Sequence, residues 1–275
     1  MPADRSPAFA PRAPVRSLVY RGLLALAHAC YKAGNGALFT AAGLLRRDEL
    51  QAASVAQYRE FNVSAIDVDG GLNTAEAHFY GQFLRPRARV LLAGCGTGRD
   101  LIALQLLGHQ VIGIEPAPEV AERARQHLAR RGSAATVETG LIQTIELRGS
   151  YDAVIFSNGC YSFLQGSAVR IATLRRVAAH LAPSGRIIVS YYPARPQSHI
   201  GRQLTRVAAR VSGADWSPER GDTFSREGVA TELIRFHHAF EAGDFAAECD
   251  AAGLTVLAEK WYEPALVFAA AERRT

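Results

Sequence analysis

Short apolar runs alternate with helix-length segments through the middle of the chain. Strands are predicted at residues 90–92, 111–115, 136–139, 151–156 and 186–192. Residues 118–131 and 169–181 have the charge pairs and stop signals of helices. The run at 151–156 is apolar almost throughout, as in a strand that is buried on both faces. Strands that alternate with helices predict an α/β fold around a mostly parallel sheet.

A glycine-rich turn follows the first predicted strand. Gly94, Gly96 and Gly98 alternate with other residues, and a helical pattern begins directly behind them. Glycine has no Cβ, so this turn can be tight and a ligand can lie against bare backbone. The next strand ends in Glu115, whose carboxylate can accept hydrogen bonds from two ribose hydroxyls. Together the two features predict a site for a nucleoside-containing cofactor.

The glycine turn resembles motif I of the class I S-adenosylmethionine-dependent methyltransferases, written E/D-x-G-x-G-x-G. The three glycines and Glu115 match it, while Leu92 stands where the family has an acidic residue. Residues 94–115 also show a local likeness to the thiopurine and thiol methyltransferase branch. The resemblance covers about residues 75–270. It implies a doubly wound, seven-stranded, Rossmann-like sheet, with residues 232–240 as the sixth strand.

The same resemblance implies S-adenosylmethionine as the cofactor. In this family the glycine loop passes under the methionine part, and the acid that ends strand 2 holds the ribose. Carried over to this chain, the family's contacts fall on Ala93, Gly94, Cys95, Gly96, Gly98, Glu115, Pro116, Leu141, Ile142, Ser157 and Asn158, with Tyr58 from the segment ahead of motif I. The family's acidic adenine contact is missing at 140–142, so we expect backbone and apolar contacts there.

Methyl transfer from a sulfonium requires alignment of a nucleophile, and a base only where that nucleophile is protonated. The candidates for catalytic or orienting groups are Tyr161, Tyr191 and His199, followed by Tyr192, His237 and His238. For each of these residues, a structural role in a pocket wall or simple exposure on the surface explains its presence at least as well as catalysis does. Because residues 237 and 238 are adjacent on a predicted strand, their side chains should point to opposite faces.

The leading interpretation is a methyltransferase that acts on a small molecule. A nicotinamide-dependent oxidoreductase is disfavoured, because Arg99 stands at the third glycine of the dinucleotide fingerprint. A non-catalytic, cofactor-binding partner subunit stays open, because Leu92 replaces the motif's acid. The four cysteines form no C-x-x-C pair, so we expect no metal site, no disulfide framework and a reduced, cytoplasmic setting.

Positive charge is concentrated at the start of the chain. The net charge is +5, and residues 1–47 contain seven Lys and Arg against Asp4 alone. The remainder is therefore close to neutral, and nucleic acid is not expected as a partner. We expect residues 1–16, with their four prolines, to be a disordered tail. Residues 17–80 should form a helical extension or lid, ahead of a methyltransferase domain at 81–275 with an insertion at about 195–230.

Residues 17–32 predict a helix that is apolar outside one stripe. Ser17, Arg21, His28 and Lys32 form that stripe at helical spacing. The segment is too short and too charged for a good transmembrane span. The favoured interpretation is a helix that packs on the catalytic body as a lid or forms a homodimer surface. The alternative is a basic amphipathic helix, within residues 17–45, that lies on an anionic membrane.

Overall fold

A nine-stranded sheet organises the computed structural model, which describes residues 17–65, 68–195, 199–226, 233–262 and 266–274. The strands are β1 (Arg89–Ala93), β2 (Gln110–Glu115), β3 (Thr136–Thr139), β4 (Tyr151–Phe156), β5 (Leu181–Pro193), β6 (Asp222–Ser225), β7 (Arg235–Phe240), β8 (Leu254–Tyr262) and β9 (Leu266–Arg273). The helices are α1 (Ser17–Leu44), α2 (Arg47–Ala65), α3 (Thr74–Phe83), α4 (Arg99–Leu106), α5 (Pro118–Arg130), α6 (Ser167–Ala179), α7 (His199–Ser212) and α8 (Asp244–Ala252).

Seven of the strands form the sheet that the methyltransferase resemblance implies. Their order is β3-β2-β1-β4-β5-β9-β8, in which β1 to β5 run parallel and β9 is antiparallel to both of its neighbours. Ala93 pairs in register with Ile114 on one side and with Phe156 on the other. The carboxyl ends of β1, β2 and β4 therefore meet at one edge of the sheet, where open α/β sheets bind ligands.

The antiparallel pair β6–β7 is an addition to this core sheet. β7 pairs with β5 only at its far end, through Tyr192↔Ala239 and Pro193↔Phe240. The expectation that residues 232–240 form the sixth core strand is wrong, because β9 occupies the place beside residues 187–191 of β5. The sixth and seventh core strands are β8 and β9. The predicted insertion after β5 consequently extends through β7.

Two apolar layers cover the sheet. One face is packed by α6 and α8 around Val154, Val189 and Phe245, and the other by α3, α4 and α5 around Leu92, Leu101 and Phe268. Of these helices, α4, α5 and α6 lie between strands of the series β1 to β5, as the hydrophobic pattern predicts. A smaller cluster of Leu50, Trp216, Phe224 and Phe236 joins α2 to the β6–β7 addition.

The N-terminal helix is longer than its polar stripe predicts. It continues past Lys32 to Leu44, although Gly34 and Gly36 each disfavour a helix by about 1 kcal/mol. Packing overrides this propensity, because Gly36 and Gly43 lie against α7. Residues 19–34 are exposed and do not pack on the body, so a closed lid does not describe this half of α1. The tail expected at residues 1–16 lies outside the described residues.

Candidate cofactor and acceptor site

The glycine loop has the backbone conformation that its sequence requires. Gly94, Gly96 and Gly98 have φ angles of +69°, +55° and +100°, which side chains other than glycine rarely adopt. A Cβ built on Gly94 would lie 2.6 Å from Sγ of Cys160. The loop is thereby pressed against the segment that follows β4, and its glycines are required for both the turn and this close approach.

Glu115 connects the end of β2 to the glycine loop. Its Oε2 accepts a hydrogen bond from the Gly96 N–H at 3.0 Å, and its Oε1 accepts one from the Ala117 N–H at 3.0 Å. The side chain is 1% exposed, and burial raises the pKa of its carboxyl to about 7 against the pull of those two donors. Each carboxylate oxygen keeps further lone pairs. The group can therefore hold the loop and still accept hydrogen bonds from a vicinal diol.

A cavity lies over this carboxyl and the first glycine of the loop. Its atom-free space is about 850 Å³, part of it open to solvent. Apolar side chains predominate in the wall, which is lined by Leu50, Gln51, Ser54, Val55, Tyr58, Gly94, Ile114, Glu115, Pro116, Gly140, Leu141, Ile142, Gln143, Cys160, Phe163, Leu164, Gln165 and Phe236. A largely apolar cavity with a few converging polar groups is the usual form of a small-molecule site.

The structure brings half of the predicted cofactor residues into the cavity wall. These are Tyr58, Gly94, Glu115, Pro116, Leu141 and Ile142. The other six residues lie behind or beside the wall. On the β1 side, Ala93 ends the strand, the Cys95 thiol packs toward Gly113, the Gly96 N–H donates to Glu115, and Gly98 precedes α4. After β4, the Ser157 hydroxyl lies 3.4 Å from the Gly94 carbonyl, and Asn158 turns the chain at a φ of +46°. Their contact with a cofactor stays a prediction.

Sequence reasoning missed much of the opposite wall. Helix α2 contributes Leu50, Ser54 and Val55, whose spacing places them on one helical face together with Tyr58, which the sequence did predict. That spacing could have identified the face, although not what it covers. The short helix after β4 and the residues behind it contribute Phe163, Leu164 and Gln165, for which the sequence carries no comparable signal.

Tyr161 was a catalytic candidate, and the structure assigns it to the core instead. Its hydroxyl donates a hydrogen bond to Oε2 of Glu248 at 2.7 Å, and its ring stacks on Phe240. Arg170 donates to the same carboxylate, from Nε to Oε1 at 2.8 Å. The tyrosine is fully buried in this charged network and does not line the cavity. The residue does follow β4, as the sequence predicts, but its side chain points away from the ligand-binding edge of the sheet.

The other two catalytic candidates lie at a different place. Tyr191 and His199 line a second, wider cavity beyond the end of β5. Burial and the nearby Glu259 carboxylate raise the pKa of Tyr191 well above its usual value, so the phenol stays protonated at neutral pH. His199 begins α7 and is exposed. Neither side chain lines the cavity over Glu115, so neither is positioned there as a base.

The adjacent histidines of β7 point to opposite faces, as alternation along a strand requires. Nδ1 of His238 lies 2.8 Å from Oδ1 of Asp222 in the interior. His237 packs against the ring of Tyr192, and burial together with the charge of Arg235 lowers its pKa to about 4. His237 is therefore neutral at physiological pH. These contacts give both imidazoles a structural explanation.

Three potential metal ligands meet near His238, but hydrogen bonds within the protein already use them. Ligand atoms of Glu219, Asp222 and His238 lie within 4.8 Å of one another. The Glu219 carboxylate accepts hydrogen bonds from Arg170 at 2.9 Å and from Ser167 at 2.7 Å. A guanidinium on the same carboxylate disfavours a bound cation. The arrangement is that of a buried charge network.

Comparisons with known proteins agree with this geometry. Residues 90–185 match the family model described as a methyltransferase domain. The ubiquinone biosynthesis O-methyltransferase of Xanthomonas axonopodis pv. citri is 32% identical over 133 residues, which are 45% of this chain and 54% of that protein. The enzyme of the same name from Xanthomonas campestris pv. campestris strain B100 is 34% identical over 107 residues, 38% of this chain and 43% of that protein. The chain thus matches about half the length of these curated relatives.

Solved structures show the same fold at low identity. The CcbJ methyltransferase from Streptomyces caelestis superposes with a TM-score of 0.60 and 16% identity, over 80% of this chain and 97% of that one. The 1,6-didemethyltoxoflavin-N1-methyltransferase of Burkholderia thailandensis gives 0.60 and 19%, over 84% and 92%. The chain thus has the fold of S-adenosylmethionine-dependent methyltransferases, residues 90–185 match a methyltransferase domain, and the fold class expected from the sequence is confirmed.

Proposed function

We propose that this chain is an S-adenosylmethionine-dependent methyltransferase whose acceptor is a small, largely apolar molecule. The observation that carries the proposal is the hydrogen bond between Glu115 and the Gly96 N–H, at the floor of an apolar cavity. It places a diol-binding carboxylate beside a loop with little side-chain cover, as an adenosyl cofactor needs. We place the acceptor in the part of the same cavity that Phe163, Gln165 and Phe236 line.

The described residues fit this cofactor. Glu115 would accept hydrogen bonds from the ribose hydroxyls, and Gly94 would leave its backbone open to the methionine part. Pro116, Leu141 and Ile142 offer an apolar surface for the adenine. The cofactor supplies a methyl group that is already activated for displacement. The task of the protein is to align the acceptor and exclude water, and alignment alone can contribute about 7 to 11 kcal/mol.

The acceptor side of the cavity, as we propose it, combines aromatic walls with the buried amide of Gln165. Phe163 and Phe236 line it, and Tyr58 packs on Phe163 with ring centroids 5.3 Å apart. Gln165 is 8% exposed, and neither atom of its side-chain amide has a hydrogen-bond partner among the described residues. A buried polar group without a partner costs about 1 to 3 kcal/mol. An acceptor with a polar substituent would remove this cost, so Gln165 is proposed to orient it.

The ionisable groups in the described part of the wall limit which acceptor groups can be deprotonated there. Burial raises the pKa of Tyr58 and brings that of Cys160 to about 12, so both stay protonated at neutral pH. Glu115 is engaged with the loop. An acceptor that ionises readily on its own, such as an acidic phenol, needs no base from this wall. A neutral amine or a thiol would need no base either, and oxygen is favoured by the names of the Xanthomonas relatives, which are O-methyltransferases; we propose O-methylation on that ground.

A transfer assay tests the proposal. The full chain is incubated with S-adenosylmethionine carrying a labelled methyl group, together with matched phenol, aniline and thiol forms of one planar apolar scaffold. We expect label in the phenol product and little in the other two, and loss of turnover in Glu115→Ala. Cofactor binding without turnover on any scaffold would favour the non-catalytic subunit instead.

We also propose a reducing, cytoplasmic setting for the chain. The four cysteines are free thiols, and two of them, Cys95 and Cys249, are buried in the core. Among the described residues, no helix has the length and apolar character that crossing a bilayer requires. The expected result is that protein isolated from its source cells without reductant has four titratable thiols after unfolding, and that protease added outside intact cells does not degrade it.

A further inference from the structure

Half of helix α1 extends from the body with apolar side chains around most of its circumference. Residues 19–34 are exposed without interruption. Six large side chains are each 54–67% exposed, namely Val19, Tyr20, Leu23, Leu24, Leu26 and Tyr31. A helix that is apolar around most of its circumference is normally surrounded by protein or lipid. This segment therefore needs a covering that the described residues of one chain do not supply.

Helix α7 adds a second apolar strip to the same surface. Ile200, Leu204, Val207 and Val211 recur at helical spacing and are 37–82% exposed. The two helices are packed tightly: a Cβ built on Gly201 would lie 2.8 Å from the ring of Phe39. The hydroxyl of Thr205 in α7 donates a hydrogen bond to the backbone carbonyl of Phe39 in α1 at 2.8 Å. We call the exposed faces of α1 and α7 the docking surface.

The charge of the docking surface has one sign. Neither α1 nor α7 contains an aspartate or glutamate. The basic residues of the projecting half of α1 are Arg21 and Lys32, whereas the arginines of α7 fall outside its apolar strip, with Arg202 lining the cavity beyond the end of β5. Because no acidic side chain of α1 neutralises Arg21 and Lys32, the complementary partner is anionic as well as apolar.

We propose that the docking surface binds an anionic lipid bilayer, with α1 lying in the plane of the interface. A second copy of the chain would bring the same positive charge to the contact and would cover only one face of the projecting helix. Among the described residues no helix is long and apolar enough to cross a bilayer, and the 16 exposed residues of α1 reach about 24 Å against a hydrocarbon core of about 30 Å. Basic residues beside apolar ones are the combination that interfacial helices use.

Docking there would act on the element that lines the cavity. Helix α1 ends at Leu44, which is exposed, and α2 begins at Arg47 and contributes Leu50 to the cavity wall. The Leu45 carbonyl between them accepts a hydrogen bond from Nε1 of Trp216 at 2.8 Å, and the Arg47 N–H donates to Asp215 at 2.8 Å. The linker is thereby held against the body, which fixes the orientation of the cavity relative to a docked α1.

Vesicle co-sedimentation of the full chain tests the proposal with a charge-matched control. The test variant is Leu23→Glu/Leu26→Glu, in the docking surface. The control is Leu106→Glu/Leu107→Glu, which adds the same charge at leucines that are 84% and 64% exposed on α4 and directly after it. Vesicles contain phosphatidylcholine alone or with one-third phosphatidylglycerol, at low and high salt.

We expect the wild type and the control to bind the anionic vesicles at low salt and the test variant to bind at least tenfold more weakly. Each basic residue near the surface should contribute about a fivefold factor, which is lost on neutral vesicles and at high salt. All three proteins should bind S-adenosylhomocysteine equally, which separates this result from failure of the proposed activity. The proposal would be overturned if the wild type did not bind the vesicles, or if both variants lost binding equally. It would also be overturned if the wild type formed a dimer that did not bind vesicles and that the Leu23→Glu/Leu26→Glu substitutions dissociated.

Discussion

Replacing Glu115 with glutamine should change how the stability of the ligand-free protein depends on pH. Burial raises the pKa of this carboxyl from 4.5 to about 7. The folded protein therefore holds the proton more tightly than the unfolded chain, and stability falls as the pH rises from about 4.5 to about 7. At about 1.4 kcal/mol for each pH unit, the total loss is about 3 kcal/mol. Glutamine has no charge to bury, so its variant should lack this slope.

Urea unfolding of the ligand-free proteins between pH 4.5 and pH 8 measures the effect. The stability of the wild type relative to Glu115→Gln should decline by about 3 kcal/mol across that range and level off above pH 7. A constant offset from the altered hydrogen bonds to Gly96 and Ala117 does not affect this slope. Glu122→Gln, at an exposed carboxyl, serves as the control. Parallel curves for the wild type and Glu115→Gln would refute the reasoning.

The same carboxyl should make cofactor binding pH-dependent. Ribose hydroxyls donate hydrogen bonds more strongly to a carboxylate than to a neutral carboxyl group. Binding of S-adenosylhomocysteine should thus lower the pKa of Glu115 and release up to one proton near pH 7. Its affinity should rise roughly tenfold from pH 6 to pH 8, because a carboxyl whose pKa is about 7 is mostly protonated at the lower pH and mostly ionised at the higher. Calorimetry in two buffers with different ionisation enthalpies measures the proton, and Glu115→Gln should release none.

Three further variants probe other parts of the site and its support. Gly96→Val should fold, at a cost of about 1 to 2 kcal/mol for its left-handed backbone, but should not bind S-adenosylhomocysteine in calorimetry; normal binding would remove the glycine loop from the site. Gln165→Leu should raise KM for the acceptor while the Kd of S-adenosylhomocysteine and the stability in urea stay the same or improve, because the buried amide lacks a partner among the described residues. Arg170→Met should cost about 3 to 5 kcal/mol in urea unfolding by leaving Glu248 buried without its cation, and adding Glu248→Met should recover part of that loss.

The sequence alone predicted the parts of the fold and of the site in which a local pattern of residues has one structural meaning. The apolar runs at β1, β2, β4 and β5 and the glycine turn predicted both the sheet and its ligand-binding edge. Glu115 could be found because a strand end next to such a turn has a defined place in the fold. These features depend on residues that are close together along the chain.

The remaining features depend on contacts between distant residues. Residues 235–240 have the pattern of a strand, but their exclusion from the core sheet follows from β9, which pairs with β5 instead. Tyr161 stands at the right point of the chain, yet its hydroxyl is bonded to Glu248 on another helix. Gln165 becomes notable only once its burial without a partner among the described residues is known. Pairing and burial of this kind are properties of the folded chain and leave no local trace.

Calorimetric titration of the purified full chain with S-adenosylhomocysteine, beside a titration with NADH, is the most direct test of the central claim. We expect one S-adenosylhomocysteine to bind per chain, with the affinity reduced at least tenfold in Glu115→Ala by the loss of a charged acceptor worth about 1.5 to 3 kcal/mol. NADH should produce no binding heat. Binding of NADH with no response to S-adenosylhomocysteine, or an unchanged Kd in Glu115→Ala, would contradict the assignment of this cavity to a methyl-donor cofactor.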